Sequence, residues 1–340
     1  MQDVTLVGID LGKHSFHLHG QDRKGKAVFR KKASRKQLFE FFANFPACTV
    51  VMEACAGAHH MARKLASFGH QVKLISPQFV RPFVKSNKNE FVDAEAICEA
   101  ASRPAVRFVT PKTESQQTLS ALHRVRESLI RDRTKVINQI HGFLLEFGIS
   151  LPIGTAVIKR LPATLAQHPL PPRLVAVLER LHSHFKHLDT QIGEIDRELV
   201  RQLSEDDVGQ RLLTIPGVGP ITASVLAAEM GDGKQFGCSR DFAASIGLVP
   251  RQYGTGGKAN LLGISKRGDK NIRRLLVQCA RAYMQRLDRQ TGRLAEWVRG
   301  LLIRRHSNVV ACALANKLAR TAWALASHQS FNPGPARLPA

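Results

Sequence analysis

The sequence predicts an N-terminal α/β domain, then a helical coiled-coil spacer, then a mainly α C-terminal domain. Short apolar runs that end on acidic residues fill the first part. Apolar residues three and four apart fill the middle, and glycine turns between helical segments fill the last. The expected boundaries are 1–108, 109–205 and 206–330, with a tail over 331–340. At 340 residues the chain is long enough for two or three domains that each bury a core.

The first element is the apolar run Val4-Thr5-Leu6-Val7-Gly8-Ile9, which ends on Asp10 and passes Gly12 into a second strand over Ser15–His19. A carboxylate is costly to bury unpaired, so Asp10 should face a cleft and hold something positive. Lys26–Lys32 suits a third strand, and Arg35–Phe45 a helix with Leu38, Phe39, Phe41 and Phe42 on its apolar side. The strand Cys48-Thr49-Val50-Val51-Met52 delivers a second carboxylate, Glu53, to its own end. Gly57–Phe68 reads as a helix and His70–Ile75 as a strand, closed by Ser76-Pro77. A further helix carries Phe91, Ala94, Ile97 and Cys98 on one face, with Glu95 and Glu99 suited to its solvated side. Glu90 and Asp93 stand about one turn apart on it and can point the same way.

Three strands, a helix, a strand, a helix and a strand is the order of an RNase H-like sheet, whose active site gathers carboxylates at strand ends. Asp10, Glu53, Glu90 and Asp93 can hold two Mg²⁺ ions about 4 Å apart, the geometry for in-line phosphoryl transfer. Two other readings of Asp10 stay open at this point: the Asp-x-Gly phosphate loop of an actin-like phosphotransferase, and a turn residue closing a hairpin. The actin-like reading lacks a second phosphate loop downstream.

From Ser115 to Phe147, Leu122, Val125, Leu129, Val136, Ile140, Phe143 and Phe147 recur at helical spacing, with Arg124, Arg126, Arg131, Arg133 and Lys135 on the other faces. Gly148 and Leu151-Pro152 end that helix. A second one carries Leu174, Leu178, Leu181, Phe185, Leu188, Ile192, Ile195 and Leu199, a heptad seam. Such a pair makes a coiled-coil hairpin or a dimer interface, serving assembly and spacing.

Leu212 to Ala223 has the form of a helix-hairpin-helix, in which Gly217 and Gly219 let backbone N–H groups approach a phosphate. The stretches Gly247–Lys258 and Leu262–Lys270 read as glycine-rich loops dense in hydroxyls and cations, able to cradle a phosphate or to attack one. Arg251, Lys258, Lys266 and Arg267 lie in them, and Arg273 and Arg274 open the following helix.

Fifty Lys and Arg against 27 Asp and Glu give a net charge of +23, which points to nucleic acid as partner. The charge is spread over several segments rather than one amphipathic helix, against a membrane-surface role. No apolar run is long enough to cross a bilayer and the N-terminus enters a strand directly, so the expected location is cytoplasmic, at the nucleoid when DNA is bound. The six cysteines form no Cys-x-x-Cys pair and read as reduced core thiols.

Taken together, Gly8-Ile9-Asp10-x-x-Lys13, Met52-Glu53-Ala54, Asp93-Ala94-Glu95-Ala96-Ile97, Ile215-Pro216-Gly217-Val218-Gly219-Pro220, Gly247-Leu248-Val249-Pro250 and Gly263-Ile264-Ser265-Lys266-Arg267-Gly268 occur in an order and spacing that resembles the DEDD insertion-sequence transposases. That family includes the Piv-type DNA invertases, and the resemblance runs roughly from Val4 to Ala326. It is nearest to the branch with Asn-Lys-Asn before the helical acids, here Asn87-Lys88-Asn89. The resemblance implies a RuvC-like domain, a coiled coil and a C-terminal transposase domain with a nucleophilic serine. It also implies Mg²⁺-dependent cutting and rejoining of DNA through a phosphoserine, on a homo-oligomer, dimer or tetramer, that joins one subunit's acids to another's serine. Several members are directed by an RNA encoded in the element, so a guide RNA is an expected partner beside DNA.

By position, the acidic quartet falls on Asp10, Glu53, Glu90 and Asp93, where Glu90 replaces the family's usual Asp. The nucleophile position falls on Thr255, followed by Gly256, where the family has Ser-Gly. Thr carries the same hydroxyl on a stiffer, β-branched side chain. Ser265 and Tyr253 are the alternative hydroxyls, and a copy impaired by loss of the family's serine is the remaining alternative. Two rival functions remain: a RuvC-like junction nuclease that hydrolyses DNA with water, and a non-enzymatic nucleic-acid-binding protein with structural carboxylates.

Overall fold

The computed structural model describes residues 3–84 and 89–327. The expected tail and most of the Asn-Lys-Asn motif lie outside the described residues. The chain forms two compact units, one up to Ser115 and one from Gln116.

The first unit begins with β1 (Leu6–Leu11), β2 (Ser15–Gln21) and β3 (Ala27–Ser34), an antiparallel meander. Next come α1 (Arg35–Ala43), β4 (Thr49–Glu53), α2 (Ala58–Ala66), β5 (Gln71–Ile75), α3 (Pro77–Val80), α4 (Glu90–Ala101) and the two-residue β6 (Phe108–Val109). The sheet runs β3-β2-β1-β4-β5-β6, with β1, β4 and β5 parallel. This is the element order expected from the alternating apolar runs. α1 starts at a full capping box, in which the Ser34 hydroxyl accepts from the Gln37 amide while the Gln37 side chain accepts from the Ser34 amide.

Two cores sandwich the sheet. Ile9, Phe16, Leu18, Met52 and Leu74 pack with Leu38, Phe42, Met61 and Leu65 of α1 and α2. On the α4 side Val51 and Ile75 meet Val80, Ala96, Ile97 and Ala100. α4 lies very close to β1 because position 8 is glycine. A Cβ there would stand 2.4 Å from the Ala94 carbonyl oxygen and 2.7 Å from the Cys98 sulfur.

The second unit begins with the long helix α5 (Glu114–Leu145), followed by α6 (Thr155–Lys159), α7 (Leu161–Ala166) and the long α8 (Pro172–Ser204). α5 and α8 pair antiparallel, since Arg126 meets Asp196 while Arg133 meets Asp189. Their core holds Val136, Ile140, Leu144, Leu178, Phe185 and Leu188, together with Ile158 and Leu161 from the short helices. Val125 and Phe143, which the spacing put on the apolar face of α5, are exposed, as is Phe147, which the spacing placed on that helix and which lies in the turn after it. Buried His123 and Ser120 take the inward positions of the first half of that helix, bonded to polar partners on a later helix.

The remaining elements are α9 (Asp207–Leu213), α10 (Pro220–Met230), α11 (Ser239–Ser245), β7 (Pro250–Thr255), β8 (Lys258–Ile264), α12 (Lys270–Gln285), α13 (Arg293–Leu302) and α14 (Ser307–Ser327). Leu212, Leu226, Phe242, Leu276, Val298 and Leu314 centre their core. The stretches expected as glycine-rich loops are instead a β-hairpin, β7 paired antiparallel with β8. Gly256 and Gly257 form its two-residue turn, both at positive φ (56° and 80°), the backbone sign that matches the right-handed twist of hairpin strands. No described helix is long and apolar enough to cross a membrane. Cys48, Cys98 and Cys279 are buried thiols as expected, whereas Cys55 and Cys238 are exposed.

Candidate active site

Three structural elements converge on one end of the first sheet. β1 and β4 run parallel and in register from Leu6 with Thr49 to Ile9 with Met52, so the next residues, Asp10 and Glu53, stand side by side where the two strands part, each still paired with its other neighbour. α4 supplies the other two acids from its first turn. Asn89 caps it, its side chain accepting from the Phe91 amide at 3.0 Å, and the helix N-terminus favours the negative charges of Glu90 and Asp93 there. The close approach permitted by Gly8 lowers that turn onto the strand ends.

The quartet therefore comes together. Asp10 shares a side-chain hydrogen bond with Glu90. Burial, then that bond and the charges of Glu90, Asp93 and Glu53, push the Asp10 carboxyl up to about 7. Burial and the Asp93 charge raise Glu53 as well. No Lys or Arg pairs with Asp10, Glu53 or Asp93 among the described residues. Like charges held this close need protons or a cation between them.

One further residue stands in the site that the acid pattern did not single out. β1 and β2 pair so that His17 lies directly opposite Asp10, and opposed residues of an antiparallel pair share a face of the sheet. One ring nitrogen of His17, one oxygen of Asp10 and one of Glu90 lie within 4.8 Å of one another. The signal was present in the sequence as hairpin register, since a reversal over residues 12–15 sets 11 against 16 and 10 against 17. These oxygen donors, with their unneutralised charge, suit a hard divalent cation.

The candidate nucleophiles lie in the second unit. Thr255 is the last residue of β7, exposed at the hairpin tip and paired with Lys258 across the turn. Tyr253, 62% exposed, pairs with Asn260. Ser265 follows β8; its amide donates to the Val249 carbonyl at 2.8 Å, and its hydroxyl accepts from the Arg267 amide at 3.5 Å. The next residue, Lys266, has φ of 56°, a left-handed conformation uncommon outside glycine.

The expected nucleic-acid contacts separate into two groups. Arg251, Lys258, Lys266 and Arg267 are exposed on the hairpin and the loop after it. Arg273 and Arg274 are instead engaged with the protein. The Arg273 guanidinium donates to the carbonyls of Ile246 (2.7 Å) and Arg267 (3.0 Å), bracing that loop, and Arg274 binds Glu127 and the Asn271 side chain. The two glycines between α9 and α10 also differ. A Cβ on Gly217 would stand 2.8 Å from the Cys279 carbonyl oxygen, so the fold itself demands glycine there, while Gly219 is open at the N-terminus of α10. A cavity of about 380 Å³, lined by Ser120, His123, Arg124, Glu127, Glu229 and Asn271 among others, adjoins Arg274, whose partners Glu127 and Asn271 both line it.

Residues 7–149 match a transposase family profile of the DEDD, IS110 type, and residues 209–295 match the profile described as the IS116/IS110/IS902 transposase family. The chain is 67% identical over 323 residues to the transposase for insertion sequence element IS1328 of Yersinia enterocolitica, covering 95% of this chain and 97% of that protein. The chain belongs to the IS116/IS110/IS902 family of transposases. A second relative, the transposase for insertion sequence element IS1111A of Coxiella burnetii, is 42% identical and covers 97% of this transposase and 91% of its own length. The pilin gene-inverting protein of Moraxella bovis is 23% identical over 235 residues, 65% of this chain and 62% of that protein. The Piv-type relation suggested by the motifs is thus met, and the enzyme is a transposase that acts on DNA. Asp10, Glu53, Glu90 and Asp93 all fall inside the first matched region, and Thr255 and Ser265 inside the second.

Proposed function

We propose that this transposase cuts and rejoins DNA with a RuvC-like, RNase H-like first domain that holds Mg²⁺ and a hydroxyl nucleophile from the C-terminal domain. The observation that carries this reading is the crowding of Asp10, Glu53, Glu90 and Asp93 at one sheet end, with no cationic side chain against Asp10, Glu53 or Asp93 among the described residues, in a protein of net charge +23. Mg²⁺ held by these acids would supply Lewis-acid activation of a scissile phosphate and stabilise the leaving oxygen. The second sheet-borne feature supports the nucleophile. The hairpin lifts the Thr255 hydroxyl to an exposed tip with Lys258 opposite, where a phosphate can reach it and find a cation beside it. Attack by that hydroxyl forms a phosphothreonine ester and releases a DNA 3′-hydroxyl. A second DNA hydroxyl then attacks the ester, restores Thr255 and completes the new strand, so no external energy source is consumed.

Arg251, Lys258, Lys266 and Arg267 serve as backbone contacts for DNA in this scheme, Arg273 and Arg274 shape the surface that presents them, and the open Gly219 turn offers a further phosphate contact. The α5–α8 pair acts as a coiled-coil spacer in a homodimer or tetramer that brings one subunit's acids to another's hydroxyl, and an element-encoded RNA guides target choice. These last two points follow what the resemblance to the DEDD insertion-sequence transposases implies.

The test is to incubate the protein with labelled element-end DNA and Mg²⁺, denature, and map the residue that retains nucleotide. Wild type and Thr255→Ser form the adduct and Thr255→Ala does not. An adduct on Ser265 in Thr255→Ala would transfer the role to Ser265, which sits beside the left-handed Lys266 at the hairpin base. Cleavage with no adduct in wild type would favour the hydrolytic junction nuclease. A single short RNA species among copurifying nucleic acids supports guidance, and DNA alone contradicts it.

A further inference from the structure

We propose that His17 is a nitrogen ligand of the cation held by Asp10 and Glu90, which gives this site a preference for Mn²⁺ over Mg²⁺. The inference rests on the carboxylate metal site proposed above and goes beyond it in naming a further ligand and the metal class that follows.

The hairpin register sets His17 opposite Asp10, and both side chains project to the face of the sheet that α4 covers. The ring is 7% exposed. Phe91, next to Glu90 in the first turn of α4, meets it edge-on with ring centroids 4.8 Å apart. This contact fixes the plane of the imidazole. Its Nδ1 is buried without a hydrogen-bond partner among the described residues, although a buried polar nitrogen left unpaired loses its hydration with nothing in return. A histidine placed only to fill space leaves that cost uncompensated.

A ring nitrogen lies within 4.8 Å of an oxygen of Asp10 and of Glu90, and those two oxygens lie within the same distance of each other. Donors about 2.1 Å from one ion stand roughly 3–4 Å apart, so a small inward movement of three side chains closes the triangle on a cation.

The donor chemistry then chooses the ion. Two carboxylates alone favour hard Mg²⁺, Mn²⁺ or Ca²⁺, and an imidazole adds affinity for first-row transition metals in the order that begins with Mn²⁺. Mn²⁺ accepts both donor types in an octahedral shell like that of Mg²⁺, leaving positions for water and a phosphate oxygen. A mixed Asp-His-Glu set therefore discriminates against Mg²⁺ where an all-carboxylate set does not.

The experiment uses the full-length protein stripped of metal and titrated with Mn²⁺ or Mg²⁺ in the absence of DNA. Pulsed electron paramagnetic resonance of the Mn²⁺ complex should show ¹⁴N coupling from a directly bound imidazole, absent in His17→Gln. Binding of Mn²⁺ should fall roughly 10- to 100-fold in His17→Gln, with Mg²⁺ binding changed less than about threefold, in keeping with the cost of losing one ligand-sphere partner. Wild-type spectra without ¹⁴N coupling would overturn the role of His17, and this measurement needs no variant to fold. Asp10→Asn separates the two claims. If it leaves Mn²⁺ binding intact, the carboxylate site itself fails. If it abolishes binding while wild type shows no nitrogen coupling, the carboxylate site stands and only the histidine ligand falls.

Discussion

Removing the Asp10 charge should stabilise the metal-free first unit at neutral pH and flatten its dependence on pH. The folded Asp10 carboxyl titrates at about 7 against 3.8 in a free side chain, so the folded state binds its proton more tightly than the unfolded chain does. Stability from this group is therefore complete below about pH 4 and is lost as pH rises through 7, the opposite of a salt-bridged aspartate. Between pH 5 and 8 the linkage relation gives an upper limit of ~2.6 kcal/mol for a shift of this size. Solvent screening at a half-buried carboxyl brings the expected loss to about 1–2 kcal/mol. Glu53, raised by burial and by Asp93, adds in the same direction.

The two tryptophans, Trp297 and Trp323, both lie in the second unit, so fluorescence does not report on this effect and serves as the internal control. Hydrogen exchange of the β1 and β4 amides does report on it. In chelator, protection corrected for intrinsic exchange should fall roughly 5- to 30-fold from pH 5 to pH 8, as a loss of about 1–2 kcal/mol implies. Asp10→Asn should lose most of that fall and be better protected than wild type at pH 8. Adding Mn²⁺ or Mg²⁺ at pH 8 should restore protection in wild type and not in Asp10→Asn. Protection that stays level or rises with pH in metal-free wild type would refute the claim that the quartet is mutually repulsive.

Gly8→Ala forces a Cβ against the Ala94 carbonyl and the Cys98 sulfur, so it should cost about 1–3 kcal/mol in the exchange of β1 and weaken divalent-cation binding as Glu90 and Asp93 lift away, read by titration calorimetry. Gly256→Val places a β-branched residue at φ of 56° and should disorder the β7–β8 hairpin, abolishing the protein–DNA adduct while the fluorescence melting transition stays within about 0.5 kcal/mol of wild type. His123, buried and bonded to the Ser224 hydroxyl, titrates at about 4 because of burial and the Arg126 charge, so it is held neutral where a free histidine would gain a proton. Its stabilisation is present above pH 6.5 and is lost as pH falls through 4. The fluorescence transition of the second unit should therefore weaken by about 2–3 kcal/mol from pH 7 to 4.5, and His123→Gln should remove most of that slope.

The acids were legible because each sits where a local pattern stops: Asp10 and Glu53 at the ends of β-branched runs, Glu90 and Asp93 one turn apart where a polar stretch becomes helical. His17 was not, because its place depends on pairing between two strands rather than on either one. The β7–β8 hairpin was hidden for a different reason. All of β7 and most of β8 are exposed on both faces, so no apolar alternation marks them as strands, and only the Gly256-Gly257 turn carried a signal. On α5 the spacing was read correctly as helical, but Val125 and Phe143 face solvent while His123 and Ser120 turn inward. Periodicity gives a helix its apolar stripe only when packing, and not a polar network, decides the inward face.

Charge pairing across the chain shows why the quartet stands apart. Other acids find cations: Glu95 with Arg30, Asp196 with Arg126, Asp189 with Arg133 and Lys159, Glu127 with Arg274. With 50 basic residues against 27 acidic ones, partners are plentiful, yet none meets Asp10, Glu53 or Asp93 among the described residues. An Arg in that position would relieve the repulsion permanently and leave no place for a removable ion. DNA phosphates carry the same sign as these carboxylates, so the basic surface that draws DNA toward the protein cannot by itself bring a phosphate to this sheet end. The approach becomes favourable only when something external cancels the acid charge. Protonation of Asp10 below pH 7 cancels part of it without offering a Lewis acid, so acidification should permit DNA binding near the site while a divalent cation should be needed for cleavage.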